Sequence, residues 1–140
     1  MAKRGREMLA RVPLFSSLSP RHLRRLADLT EEQRYMEGAS VVREGEIGDT
    51  FYVILEGEAK VVARSGRVVN RLYPGDFFGE ISLLDGGPRT ASVVAATPLV
   101  MLALPRKALL DVIGQEPEVG SKLLKHVAGL LRRMEHPAAG

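Results

Sequence analysis

The stretch FGEISLLDGGPRTASV, residues 78–93, breaks a series of short strand-like runs and decides how the whole chain is interpreted. It predicts a short helix from Glu80 to Leu84 between two strands. Gly79 lets a backbone come close to another group, and the first amides of a helix lack internal partners, so this helix start is a candidate anion site. Arg89 follows a Gly-Gly-Pro turn at the start of a strand, where its side chain can point back across the turn.

The charged side chains of this stretch indicate what it binds. A guanidinium that faces free amides suits a phosphate, so Arg89 is the candidate phosphate ligand. Glu80 stands in the same pocket, and a carboxylate beside a phosphate site commonly binds a ribose hydroxyl. These residues predict a ligand with one phosphate charge and a nearby hydroxyl. An ion pair between Glu80 and Arg89 that only holds the turn is the alternative interpretation.

The middle of the chain, from about Glu31 to Leu104, has the pattern of a β protein. Short apolar or alternating runs are cut by glycines at close intervals. The runs cover residues 40–43, 51–55, 59–63, 68–72, 91–96 and 99–104. Ser65-Gly66 is a plausible hairpin turn between two of them. Six or more short strands without long helices between them predict an antiparallel sandwich or barrel.

The two ends of the chain have helical patterns instead. Ser19 is a good N-cap and precedes a proline, which predicts a helix that continues to about Leu29. Pro105 begins a short helix after the last strand. Pro117 begins a longer one that reaches about Met134, with a wide apolar stripe.

The composition excludes several classes of protein. The chain has 140 residues, of which 45% are hydrophobic, and this length predicts one domain with its own core. It has no Cys, which excludes disulfides, Cys-ligated zinc and a thiol nucleophile, and which fits a cytoplasmic location. The apolar runs are too short to span a membrane, and a net charge of +3 does not indicate a nucleic acid partner.

The positions of the histidines do not match the pattern of a cupin-type enzyme, which places closely spaced metal-binding His residues on strands. His22 and His126 fall on predicted helices, and His136 falls near the end of the chain. We therefore expect no metal ligands and no catalytic residues, and we expect His22 and His126 to be surface residues. A cupin-type metalloenzyme is the less favoured alternative.

Residues Phe78 to Ala91 resemble the phosphate-binding cassette of the cyclic nucleotide-binding domain family. The family pattern is F-G-E, two variable residues, a leucine or an equivalent pair, a short turn and R-x-A, and this chain supplies each part. Further motifs resemble the family in the correct order, at residues 13–16, 44–46, 48–49, 51–57 and 74–80. The resemblance covers roughly Leu14 to Met134, almost the whole chain.

This resemblance implies a mainly β fold with flanking helices. The family fold is an eight-stranded antiparallel β-roll, jelly-roll-like, with N-terminal helices and two C-terminal helices. Three parts are implied for this chain. They are a basic N-terminal segment over residues 1–12, a cyclic nucleotide-binding domain with its lid helices over residues 13–134, and a disordered tail over residues 135–140.

The resemblance also implies a sensor of cyclic AMP or cyclic GMP rather than an enzyme, with no cofactor. The carboxylate at Glu80 is expected to take the ribose 2′-hydroxyl, and the guanidinium at Arg89 to pair with an exocyclic phosphate oxygen. Thr90 can reach the phosphate and, with the base turned syn, the 2-amino group of guanine. This residue therefore does not decide between cyclic AMP and cyclic GMP. The implied ligand-binding residues are Phe78, Gly79, Glu80, Ile81, Ser82, Arg89, Thr90 and Ala91.

In the family, binding becomes a signal when the cassette pulls inward and the last helix swings over the base as a lid. The implied lid and hinge residues are Leu83, Leu84, Leu109, Ile113, Leu130, Leu131 and Arg132. The last helix can also pair two chains or dock an effector protein. Because about six residues follow Met134, we expect either a sensor with no output domain on the same chain or a fragment of a larger protein.

Another effector on the same fold is the main alternative function. A haem would need an axial ligand near the lid, for which His126 is the candidate. A cyclic dinucleotide, or a protein partner without any cyclic mononucleotide, is also compatible with the fold.

Overall fold

The computed structural model describes residues 2–139, and the side chains of residues 4–135. The helices in the described part are α1 Ala2–Ala10, a 3-10 helix Pro13–Phe15, α2 Pro20–Asp28, α3 Glu80–Asp85, α4 Arg106–Gln115 and α5 Pro117–Ala139. The strands described are β1 Glu31–Tyr35, β2 Ser40–Val42, β3 Thr50–Glu56, β4 Ala59–Val62, β5 Val68–Leu72, β6 Phe77–Phe78, β7 Ser92–Ala95 and β8 Leu99–Pro105. The chain divides into a strand unit, residues 29–109, and a helical unit, which joins the residues up to Asp28 with those from Leu110 onward.

The strand unit consists of two four-stranded antiparallel sheets. Their strand orders are β1-β8-β3-β6 and β2-β7-β4-β5. Most neighbouring strands are distant in the sequence, so the sheets depend on non-local pairing. This architecture, with eight strands over the described residues, confirms the predicted antiparallel β-roll.

The main core of the strand unit receives side chains from both sheets. Its buried members are Tyr52, Ile54, Ala59, Leu72, Val93, Ala95, Leu99, Met101 and Ala103. Ile54 and Met101 are directly opposite each other on β3 and β8, and both are fully buried. Truncating either to Ala would cost about 2–5 kcal/mol, because a cavity would replace the lost side chain.

Two strands were missed by the sequence analysis. β1, Glu31–Tyr35, has no aliphatic residue, yet it pairs along its whole length with β8. β6, Phe77–Phe78, has only two residues and pairs with β3. Both are held by backbone hydrogen bonds to strands whose own side chains are buried, so hydrophobic periodicity cannot detect them.

The predicted hairpin turn at Ser65-Gly66 is confirmed, because it joins the paired strands β4 and β5. The Ala63 N–H donates to the Arg67 carbonyl at 2.9 Å, and the Gly66 N–H donates to the Ala63 carbonyl at 2.8 Å. Gly66 has a φ of +91°, a conformation that costs an L-residue roughly 1–2 kcal/mol.

Gly57 has nearly the same φ as Gly66 but no space for a side chain. A Cβ on Gly57 would lie 2.2 Å from the Pro98 carbonyl oxygen, whereas a Cβ on Gly66 would have nothing within 4 Å. We therefore expect Gly57→Ala to lower the free energy of unfolding by about 1–3 kcal/mol more than Gly66→Ala, measured by urea denaturation. Equal losses would show that the approach of Pro98 is not what requires glycine at position 57.

The helical unit confirms one predicted cap and reveals an unexpected helix. The Ser19 hydroxyl accepts the backbone N–H of His22 at 3.3 Å, as expected of the N-cap of α2. The N-terminal segment was expected only to be basic, but it contains α1. Leu9 and Val12 are buried, at 0% and 1% exposure. These few apolar positions among charged residues form too weak a stripe to predict a helix.

The structure corrects the prediction that His22 is a surface residue, since its side chain is 1% exposed. Its Nε2 lies 3.3 Å from Oε2 of Glu116, the residue between α4 and α5. The same carboxylate accepts from Arg21 Nη1 at 2.6 Å and lies 3.5 Å from Arg25 Nη1. Three basic side chains of α2 therefore share the Glu116 carboxylate, which lies more than 90 residues later in the sequence. His126, the other histidine predicted to be on the surface, is half-buried.

The Glu116 cluster predicts acid sensitivity of the fold. The hydrogen bond from Arg21 is the main cause that lowers the pKa of Glu116 from 4.5 to about 2. A carboxylate with a depressed pKa stabilises the fold above its unfolded-state value, and this stabilisation is lost as the pH falls towards the folded-state value. We expect Glu116→Gln to be less stable than wild type near neutral pH, and the difference to shrink between pH 4.5 and about 2.

The measurement is urea denaturation across this pH range, with Glu118→Gln as the matched control, since Glu118 is an exposed carboxylate in the first turn of α5. A stability difference for Glu116→Gln that does not vary with pH would contradict the prediction.

The tail expected to be disordered from residue 135 continues as helix instead, since α5 reaches Ala139. Gly140 lies outside the described residues. The two alanines that follow Pro137 have the highest helix propensity of any residue, which favours this continuation.

Candidate functional site

A cavity of about 260 Å³ lies in the strand unit beside α3. All eight residues predicted to bind ligand line it: Phe78, Gly79, Glu80, Ile81, Ser82, Arg89, Thr90 and Ala91. Six further lining residues were not predicted: Val42, Val61, Asn70, Leu72, Phe77 and Val93. Apart from Phe77, these missed residues come from the second sheet, where only strand pairing brings them together.

The predicted short helix is confirmed as α3, which glycines begin and end. Gly79 precedes it with a φ of +90°, and Gly86 follows it with a φ of +66°. The Ser82 hydroxyl, buried in the helix, donates to the Gly87 carbonyl at 3.2 Å. The Gly87 N–H in turn donates to Asp85 Oδ1 at 2.7 Å. These bonds hold the turn that leads from α3 to Arg89.

The backbone of Arg89 is fixed by the loop that follows β2. The Arg89 N–H donates to the Glu46 carbonyl at 2.8 Å, and the Gly45 N–H donates to the Arg89 carbonyl at 2.9 Å. The Gly48 N–H donates to the Gly87 carbonyl at 3.1 Å. The Glu-Gly-Glu motif at residues 44–46 therefore has a definite role, which is to hold the strand entry that carries the arginine.

The Arg89 side chain is a buried cation with an open hydrogen-bonding position. The residue is 8% exposed, and its Nη1 is the one guanidinium nitrogen of Arg89 that is buried without a hydrogen-bond partner among the described residues. Leaving a buried charged group unsatisfied typically costs more than the roughly 1–3 kcal/mol of a neutral group. Such a donor at a cavity wall is the expected feature of a site for an anion.

Tyr52 supports this arginine from one side. The Arg89 Cζ lies 5.9 Å from the centroid of the Tyr52 ring, within the range of a cation–π interaction. The same ring stacks on Phe78 at 4.9 Å between centroids. Burial, followed by the neighbouring Tyr35, raises the pKa of the Tyr52 hydroxyl to about 12, so the phenol stays neutral and does not act as a counter-ion for the arginine.

Two glycines leave the space that the Arg89 side chain occupies. A Cβ on Gly48 would lie 2.0 Å from Arg89 Nε, and a Cβ on Gly79 would lie 2.7 Å from Arg89 Nη1. Gly48 is buried and has no positive φ, so the requirement for glycine there is one of space. The arginine side chain therefore passes close to the backbone at Gly48 and at Gly79, where a larger residue would collide with it.

Arg106, the first residue of α4, contacts the far end of α3. Its Nη2 donates to the Leu84 carbonyl at 3.2 Å, where a cation is favoured by the helix dipole. Its backbone N–H donates to the Asp49 carbonyl at 2.7 Å. Sequence analysis missed Arg106 because no motif marks it, although a basic residue just after the last strand was visible.

The residues predicted to act in the lid and hinge lie in different surroundings. Leu83 and Leu109 are buried in the strand unit, while Leu84 is half-buried on α3. Ile113 is half-buried on α4, and a Cβ on Gly120 of α5 would meet its Cγ2 at 3.0 Å. The three predicted lid residues on α5 are exposed: Leu130, Leu131 and Arg132. Their lid and hinge roles stay predictions.

The family model for the cyclic nucleotide-binding domain matches residues 32–116, more than half of the chain. The chain belongs to the cyclic nucleotide-binding domain family. The matched region of the domain includes the cavity-lining residues described above.

Known members of the family are similar to this chain over almost its whole length. The chain is 35% identical over 131 residues to the cAMP-dependent protein kinase regulatory subunit of Colletotrichum orbiculare, covering 93% of this chain and 31% of that protein. It is 34% identical over 137 residues to a CRP-like cAMP-activated global transcriptional regulator of Mycobacterium tuberculosis, covering 95% of this chain and 61% of that protein. The N-terminal domain of a transcriptional regulator from Streptomyces coelicolor has a TM-score of 0.85 at 34% identity, covering 94% of both chains.

The chain therefore spans less than two thirds of the length of either curated relative. Both are named as regulatory proteins, and one as a transcriptional regulator, so the expectation of no nucleic acid partner stays a prediction. Over the described residues, no helix has the length and apolar character of a membrane span. The described side chains also contain no group of three or more His, Asp or Glu placed to hold a metal ion.

Proposed function

We propose that this cyclic nucleotide-binding domain is a regulatory, non-catalytic module that binds cyclic AMP or cyclic GMP in the cavity beside α3. The observation that carries the proposal is Arg89, a buried guanidinium whose Nη1 has no hydrogen-bond partner among the described residues and which lines that cavity. A cyclic phosphate supplies one negative charge and exocyclic oxygens to such a donor. The cyclic AMP-related names of the relatives support the same ligand class.

Each predicted residue then has a role. Arg89 pairs with an exocyclic oxygen of the cyclic phosphate, and Glu80 accepts the ribose 2′-hydroxyl. The backbone amides at the start of α3, at Ile81 and Ser82, support the sugar-phosphate. Thr90 lines the same cavity and is exposed, so its hydroxyl is available to the ligand.

The test is calorimetric titration of nucleotide-free protein with cyclic AMP, cyclic GMP and linear AMP. We expect saturable binding of a cyclic nucleotide at one site per chain, and weaker binding of linear AMP, whose phosphate carries more charge and is not tied back to the ribose. Glu80→Gln should weaken cyclic AMP but leave 2′-deoxy cyclic AMP almost unchanged, since that analogue lacks the hydroxyl. Absence of saturable binding for both cyclic nucleotides would show that the proposal is wrong.

We also propose that ligand capture is transmitted from α3 to α4 through Arg106, and from there to α5. The support is that the side chain of Arg106 is bonded to the end of α3 while its backbone begins α4. Cyclic AMP should change the backbone hydrogen exchange of α5 in wild type. Arg106→Met, at saturating ligand, should show a smaller change. Equal changes in both proteins would contradict a route through Arg106.

The C-terminal helix is the proposed output surface. Leu124 and Met134 on α5 are 73% and 76% exposed, and Leu130 and Leu131 are also exposed, which is unusual for large apolar side chains on one helix. We propose that an effector protein or a second copy of the chain covers them. A Cys-free chain fits the cytoplasmic location that such signalling would need.

A further inference from the structure

A second cavity, of about 370 Å³, lies within the helical unit. One wall comes from the 3-10 helix and the two residues that follow it, and the other comes from α5. The described lining residues are Pro13, Ser16, Ser17, Lys122, Lys125 and His126. They are all different from the residues that line the cavity beside α3, so this is a separate site with its own chemistry.

The ionisable side chains described at this cavity are all basic. Lys122, Lys125 and His126 occupy positions i, i+3 and i+4 of one helix, so they lie on the same face of α5. Of the described residues that line the cavity, none is acidic. A concave surface lined by one sign of charge concentrates its field, so an anion is favoured in this cavity.

The surrounding unit adds to this positive field. The helical unit contains 11 Lys and Arg against 6 Asp and Glu, a net charge of +5, whereas the strand unit contains 9 against 11, a net charge of −2. Glu118 is an acidic neighbour of the cavity, and its Oε1 lies 3.3 Å from Lys122 Nζ. Because the Glu118 side chain is 62% exposed, this ion pair is weak and an anion of higher charge can replace it.

The opposite wall supplies a hydroxyl donor. The Ser16 hydroxyl donates to the Pro13 carbonyl at 2.9 Å, so the hydroxyl of the exposed Ser17 is the donor that remains for a ligand on this side. The cavity has room for more than one phosphate group. Even at about 30 Å³ for each non-hydrogen atom, the volume of one water molecule in the liquid, the nine such atoms of pyrophosphate fit within it.

We propose that this cavity binds an anion with two linked phosphate groups, either free pyrophosphate or the diphosphate of a nucleotide. Lys125 and His126 donate to the phosphate oxygens from α5, and Ser17 donates from the opposite wall. Lys122 exchanges its contact with Glu118 for the anion. The site is independent of the proposed cyclic nucleotide site, because it uses no residue of the cavity beside α3.

The test follows the ring signals of His126 by NMR while pyrophosphate, inorganic phosphate, ADP or sodium chloride is added at equal ionic strength. We expect saturable shifts with pyrophosphate, weaker binding of inorganic phosphate, which has fewer charges and oxygens, and no saturable shift with chloride. His22 is the internal reference, since its ring is buried beside Glu116 and does not line this cavity. Tighter binding of ADP than of pyrophosphate would identify a nucleotide as the ligand, and equal or weaker binding would identify free pyrophosphate.

Three variants locate the site. Lys125→Gln should weaken pyrophosphate binding by about threefold to tenfold, because an exposed cation loses a charged hydrogen bond. Glu118→Gln should strengthen it by about twofold to fivefold, because it releases Lys122. Lys107→Gln is the matched control, since this exposed lysine of α4 does not line the cavity and its loss changes the net charge equally.

Two results would overturn the proposal and leave the proposed cyclic nucleotide site unaffected. One is the absence of a saturable shift of His126 with pyrophosphate and ADP, or a shift that chloride reproduces. The other is a loss of pyrophosphate affinity in Lys107→Gln as large as the loss in Lys125→Gln, which would show that only the net charge of the chain attracts the anion.

Discussion

Arg89→Met is expected to abolish cyclic nucleotide binding while leaving the ligand-free domain at least as stable as wild type. Methionine keeps much of the buried stem of the arginine but removes the guanidinium whose Nη1 has no hydrogen-bond partner in the described part of the chain. Replacing buried ionic groups by apolar ones is often neutral or stabilising by about 1–4 kcal/mol. Losing one partner of a bound charge pair costs about 2–5 kcal/mol, a loss of affinity of roughly thirtyfold or more.

The measurement is thermal unfolding with and without saturating cyclic AMP. Wild type should gain stability on adding the nucleotide, because a ligand that binds only the folded state raises the free energy of unfolding. The variant should show no gain. If the variant is still stabilised by cyclic AMP, Arg89 does not bind the phosphate. A variant much less stable without ligand would indicate that the arginine is a structural residue.

Gly48→Ala is expected to reduce cyclic nucleotide affinity by displacing Arg89, although residue 48 is not proposed to touch the ligand. The new Cβ would lie 2.0 Å from Arg89 Nε, 2.5 Å from Cζ and 2.7 Å from Cδ. Because an arginine side chain can rotate away, the fold survives and the guanidinium leaves its position. Overpacking of this kind costs about 1–3 kcal/mol, equivalent to a loss of affinity of about fivefold to 150-fold.

The measurement is the dissociation constant for cyclic AMP, with Gly114→Ala as the matched control. Gly114 has no positive φ, and a Cβ at this position would meet no atom within 4 Å, so its alanine variant should bind normally. A double-mutant cycle tests the cause. In an Arg89→Ala background the free energy of unfolding should no longer respond to Gly48→Ala, since the clashing side chain is gone. An equal response in both backgrounds would show that the clash lies elsewhere.

Much of the fold was predictable because its determinants are local. Glycines mark the turns at Gly66 and Gly79, Ser19 marks the start of α2, and runs such as residues 51–55 mark central strands. These features depend on the conformations that a few neighbouring residues permit. Strand β1 escaped prediction for the opposite reason, since its pairing depends on the distant strand β8 and not on its own side chains.

The candidate site also has a part that could be predicted from the sequence and a part that could not. The cassette is a continuous stretch, so its phosphate-directed residues could be named from the sequence. The neighbours that give those residues their properties come from other segments. Gly48 and Tyr52 shape the environment of Arg89, and Arg106 bonds to the end of α3. Nothing in the spacing of these residues indicates that they lie near the cassette.

The sequence by itself determined the antiparallel strand architecture, the short helix at Glu80, and a carboxylate and an arginine in one stretch that predict a ligand with a phosphate and a nearby hydroxyl. The cyclic nucleotide was implied by the resemblance of that stretch to the family cassette. Only the tertiary structure decided that Arg89 is buried with one nitrogen unsatisfied and that His22 is buried against Glu116. The physical reason is that conformational preference acts between neighbours in the chain. Burial, charge pairing and cross-strand register arise only when distant segments come together.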